Sequence, residues 1–142
     1  MEAKELRIRN YLQDRGGRLC KVESINYDKQ EGYSFYAPAI VSGITSLPNK
    51  PIPLTEEWLV KFGAEKEPMT CSFNISRFNS EYKRLIINVS NKMIAIRNGD
   101  LSNSRGKDEL IVIFNGDVDG DLFVHTLQNL YFALTGEELT IK

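Results

Sequence analysis

Residues 124–136 read VHTLQNLYFALTG, and the way this run is taken decides the fold. At roughly 100° per residue, Phe123, Val124, Leu127, Leu130, Tyr131 and Leu134 fall within an arc of about 120°. The spacing predicts an amphipathic helix near residues 122–134, with that arc against a core. The other side carries His125, Gln128, Asn129 and Phe132. A solvent-facing helix normally shows Lys and Glu there, yet no charge stands between Phe123 and Gly136. Side-chain amides on an uncharged face need partners once buried. This face is therefore expected to be covered, either within the fold or by a partner chain. A two-fold homodimer would bring the same patch together from both copies. His125 is the only histidine of the chain, and no acid or thiol stands near it in sequence as a catalytic partner.

Just upstream, NGDVDGDL (residues 115–122) resembles half of a calcium loop. Asn115, Asp117 and Asp119 alternate, Gly120 follows, and Leu122 anchors. The twelfth position is Thr126 instead of a bidentate Glu, and the entering element reads as a strand. The expectation is a structural turn whose Asp119 or Asp121 caps the helix, with no metal bound. Before it, LIVIF (residues 110–114) is continuously apolar and reads as a central strand.

Further out, ELRIRNYLQD and GGRLCKVESINY alternate and flank a Gly16-Gly17 turn, which predicts a hairpin. YSFYAPAIVSGI adds a strand broken by Pro38. LPNKPIPL, with its three prolines, is an extended connector. TEEWLVKFG predicts a short helix, with Thr55 as cap, Glu56 and Glu57 in the first turn, and Gly63 after the last. MTCSFNISRF, YKRLIINVS and KMIAIRN read as three strands, with Met69, Cys71, Phe73 and Ile75 on one face of the first. NGDLSNSRGKDE reads as a mobile polar loop. The sum is an α+β fold in a single domain, residues 1–142. It is mainly antiparallel, with a strongly bent sheet or small open barrel, a short central helix and a C-terminal helix.

Composition narrows the function classes. A chain of 142 residues, 42% hydrophobic and 26% charged, can build a core. The formal net charge of −1 gives no global basic field for nucleic acid. The charge is nevertheless uneven: residues 1–21 carry a net of +3 and residues 108–142 a net of −6. The two ends are expected to neutralise each other, or the basic end to face an anionic ligand. No apolar run approaches the ~18 residues of a membrane span, and the N-terminus lacks the apolar core of a signal peptide. Cys20 and Cys71, far apart in apolar runs, read as buried free thiols of a reducing compartment. The expected location is the cytoplasm of a host bacterial cell. There is no P-loop, nucleophile elbow, dinucleotide fingerprint or metal-spaced His/Cys set, so no cofactor is expected and an enzyme, such as a small hydrolase, is the weaker class.

Three segments occur in order: ELRIRNYL, PIPLTEEWLVKFG and VHTLQNLYFALTGEEL. They resemble a family of small uncharacterised proteins of gut-bacterial genomes, prophages and mobile elements. Leu6, Arg7 and Asn10 match its start; Thr55, Trp58, Leu59, Phe62 and Gly63 its middle; Val124, His125, Leu127 to Phe132, Leu134 to Gly136, Glu138 and Leu139 its end. Arg9 stands where that family commonly has glycine, and Thr126 where it has glutamine. The resemblance implies a phage or mobile-element origin and carries no chemistry.

Together these readings point to a non-enzymatic binding protein. Its expected target is an unknown host protein, which it blocks, or a small nucleotide-type anion, which it sequesters as an anti-defence factor. The ligand-binding candidates are Arg7, Arg9, Tyr11, Arg15 and Arg18, since arginines hold phosphate and an aromatic ring stacks on a base. The alternatives are a phage structural or accessory protein and a weak nucleic-acid binder.

Overall fold

The predicted N-terminal hairpin forms, but its first strand begins only at Tyr11. In the computed structural model, residues 5–40, 50–68, 71–75, 83–98, 109–115 and 120–142 are described. Strand β1 (Tyr11–Gln13) pairs antiparallel with β2 (Leu19–Lys21), Leu12 opposite Cys20. Leu6 is buried ahead of it, but Ile8 is exposed, because the chain turns at Ile8-Arg9 and breaks the alternation. Arg9 takes φ 75°, in the left-handed region that glycine favours. The link between the strands closes on Asp14, whose carboxylate accepts from the Arg18 backbone N–H at 2.9 Å and from Arg18 Nε at 2.6 Å.

Strands β3 (Ser24–Asp28) and β4 (Gly32–Tyr36) form a second antiparallel ribbon. Asp28 turns it by accepting from the backbone N–H groups of Gln30 and Glu31, which hold its carboxyl below the usual range. Leu6, Leu12, Cys20, Val22, Ala37 and Ala39 make one core, with Ile25 and Phe35 packed against it. The first compact unit comprises these ribbons and the C-terminal helix, numbered α2 below.

The second unit spans Leu54–Leu122 with the last three residues. Helix α1 (Glu56–Lys61) begins at Thr55, whose hydroxyl accepts from the Trp58 N–H, and buries Trp58 and Leu59. Its end is tied by the Lys142 N–H donating to the Lys61 carbonyl. Strands β5 (Glu65–Lys66), β6 (Phe73–Ile75), β7 (Lys83–Asn88), β8 (Met93–Asn98) and β9 (Glu109–Asn115) follow in chain order as one antiparallel sheet. No sheet among the described residues closes into a barrel, and the fold is α+β with mostly antiparallel pairing.

Two expectations are corrected here. Residues 110–114 were expected to form a central strand. They lie in β9, which ends the sheet order, and β7 is central instead, with Leu85, Ile86 and Ile87 all buried. A continuous apolar run says that both faces of a strand prefer cover; it does not say which neighbours the topology supplies. Cys71 is exposed, because it precedes the first ladder residue of β6, while Cys20 is buried within β2. The turn at Asp117 and Asp119, the polar loop over 99–108 and Met69 lie outside the described residues.

Helix α2 (Val124–Thr135) starts at Phe123, with no side-chain cap and no acid in its first turn. Asp121 does not cap it, as the sequence suggested; its carboxylate instead pairs with Lys92 within the second unit. Gly136, at φ 73°, ends the helix in the left-handed conformation, its N–H donating to the Phe132 carbonyl.

Candidate functional site

The uncharged side of α2 lies under the N-terminal segment. Gln128 is 1% exposed and joins three backbone groups. Its Oε1 accepts from the Tyr11 N–H at 2.9 Å, and its Nε2 donates to the carbonyls of Leu139 at 3.1 Å and Arg9 at 3.3 Å. Asn129 Oδ1 accepts from Asn10 Nδ2 at 3.0 Å, and Asn129 Nδ2 donates to the Glu5 carbonyl at 2.8 Å. Asn10 is itself fully buried and closes the turn by accepting from the Arg7 N–H at 2.7 Å. The Arg7 guanidinium lies over the Phe132 ring at 3.5 Å, and its Nη2 meets Glu138 Oε1 at 3.3 Å. That ion pair joins the basic start of the chain to its acidic end.

The helical wheel is therefore rotated from its sequence reading. The buried residues of α2 are Val124, His125, Leu127, Gln128 and Tyr131, and Leu134 is exposed. Val124, Leu127 and Tyr131 are buried as the apolar arc predicts, and the buried sector extends to His125 and Gln128, where the Gln128 amide partners the backbone groups of Arg9, Tyr11 and Leu139.

His125 stacks on Phe123, with ring centroids 5.7 Å apart and planes within 9°. Its Nδ1 has no hydrogen-bond partner among the described residues. Burial pushes its pKa below the ordinary 6.5, and the Glu5 carboxylate opposes that shift. The stacked, buried imidazole packs against Phe123.

The five N-terminal candidates sit in different local settings. Arg7 is held by Phe132 and Glu138, and Arg18 by Asp14. Tyr11 is buried in β1, so its ring offers no face for a base. Arg9 and Arg15 are exposed in turns.

A different group stands out on the β3–β4 ribbon. Register places Ile25 opposite Phe35 and Tyr27 opposite Tyr33, and a strand's period of two puts all four on one face. Ile25 and Phe35 pack on the core. The Tyr pair continues that face beyond the core, with rings 4.8 Å apart and exposures of 63% and 56%. Tyr36 is exposed as well. The sequence signal was present as apolar and aromatic residues at 25, 27, 33 and 35 around a turn. Without the register it could not show that the second pair runs past the core.

Comparison with known proteins found no matching family model, no similar curated protein and no similar solved structure. The family resemblance thus rests on the three sequence segments alone. No helix among the described residues is long and apolar enough to cross a membrane.

Proposed function

We propose that this protein is a non-enzymatic binding protein that works by occupancy, and that the β3–β4 ribbon makes the contact with a partner protein. The exposed Tyr27–Tyr33 pair carries this reading. Tyrosine gives a large, rigid, amphipathic contact area at low entropic cost, and aromatic residues are enriched where interfaces concentrate their binding energy. Here the pair sits on a ribbon anchored at its base by Ile25 and Phe35, so it is presented without being needed to fill the core. In a phage or mobile-element setting, such a protein would block a host protein. The alternative, a small anionic ligand, draws on Arg9 and Arg15, which remain exposed.

The test is site-specific photocrosslinking in the bacterial host, with benzoylphenylalanine in place of Tyr33 and, as a control, in place of Glu137. The expected result is one discrete adduct at position 33 that Tyr27→Ser removes from a folded chain. Identical products from both positions, or none from position 33, would reject the ribbon as the contact.

A further inference from the structure

Register sets two arginines directly opposite each other on β7 and β8. Arg84 faces Arg97, and a strand's period of two puts both on the face that carries Ile86 and Ala95. Ile86 and Ala95 are buried, and both arginines are half-buried. Like charges directly opposite one another across an antiparallel pair are destabilising. Half-burial strengthens that repulsion, since less water screens it.

The acid that meets the pair is shared and distant. Glu67 Oε1 lies 4.0 Å from Arg97 Nη1, and the same oxygen accepts from Asn74 Nδ2 at 2.9 Å. Asn74 stands opposite Ile86, on the same face. No carboxylate pairs with Arg84 among the described residues. Two cations thus share one anion, and one positive charge is left over. Each guanidinium also carries five N–H donors in a fixed fork, more than one carboxylate oxygen can use.

An anion that meets both forks at once would turn the repulsion into attraction. A carboxylate has two oxygens, enough for one bidentate fork. A phosphoryl group has up to three terminal oxygens in tetrahedral array and can meet two forks together. The chain's net charge of −1 gives no field that would draw a long polyanion.

We infer that Arg84 and Arg97 form a binding site for the phosphoryl group of a small ligand. One fork from each strand grips the group, and Glu67, itself held by Asn74, orients Arg97. These four residues belong to the second unit and the tyrosine ribbon to the first, so either reading can fail alone.

The probe is inorganic phosphate, with acetate at equal ionic strength as the control. The melting temperature of the parent should rise with phosphate and not with acetate, because a ligand held only by the folded chain stabilises it. Arg84→Gln should reverse its sign between the two buffers. It should melt above the parent in acetate, where it removes the repulsion, and below the parent in phosphate, where it removes half of the grip. Arg97→Gln should likewise abolish the phosphate shift. Arg84→Lys keeps the charge but not the fork, and should need more phosphate for the same shift. Equal shifts with phosphate and acetate would overturn the inference. So would an Arg84→Gln chain that loses stability alike in both buffers, the mark of an arginine that serves packing alone. Single-stranded oligothymidylate should raise the melting temperature no further than phosphate does; a larger rise that needs both arginines would overturn the small-ligand assignment.

Discussion

In α2 the amide of Gln128 is closed off from solvent, while in β9 the side chains of Ile111 and Val112 stand half in water. Their transfer preferences alone would place them the other way round. The difference lies in what each backbone neighbourhood lacks. Around α2, the N–H of Tyr11 and the carbonyls of Arg9 and Leu139 find their partners in one side chain. Burying Gln128 there removes polar groups from water in matched pairs, which costs little. At β9 the ladder ends, so no further strand among the described residues shields its side chains. Burial thus follows the supply of partners as much as it follows hydrophobicity.

The largest effect that could break this comparison is at Gln128. Gln128→Ala should cost about 3–5 kcal/mol in chemical denaturation, because it opens a cavity and strands buried backbone groups. A loss below about 1 kcal/mol would mean that the amide is not the joint described here.

A smaller effect concerns pH. Burial lowers the folded-state pKa of His125 below 6.5, so the unfolded chain takes up this proton more readily. The stabilisation is complete above the unfolded value and is lost as pH falls from there through the folded value. Between about pH 7.5 and about pH 5 the parent should lose more stability than His125→Gln, in which that step is absent. Equal slopes would show that His125 is not closed in under the N-terminal segment.

The smallest effect is expected at the strand edge. Ile111→Thr should change stability by less than about 0.5 kcal/mol, as at other exposed sites. A cost above about 1.5 kcal/mol would place Ile111 under cover and remove the contrast with α2.

Much of the local structure was legible in the residues. Thr55, Glu56 and Gly63 bracket α1, because caps and helix ends are chosen by backbone groups within a few positions. The Gly16-Gly17 turn and the flanking alternation marked the first hairpin for the same reason. The exposed aromatic pair was not legible as a site. Tyr27 and Tyr33 share the alternation of Ile25 and Phe35, and only the extent of the core separates the two pairs. Nor were the N-terminal arginines legible as ion-pair partners, since Glu138 lies at the far end of the chain from Arg7.

The sequence by itself determined both helices and most of the strands, though not β5 or the turn at Ile8-Arg9, the mainly antiparallel α+β class, and the amide content of one face of α2. Those properties depend on periods of two and 3.6 and on caps, all of which act over a few residues. Only the tertiary structure decided that β9 ends the sheet order among the described residues, that Asn10, Tyr11 and Gln128 meet, and that the tyrosine pair outruns its core. Each of these depends on which distant backbone arrives beside a residue, and local periodicity holds no record of that.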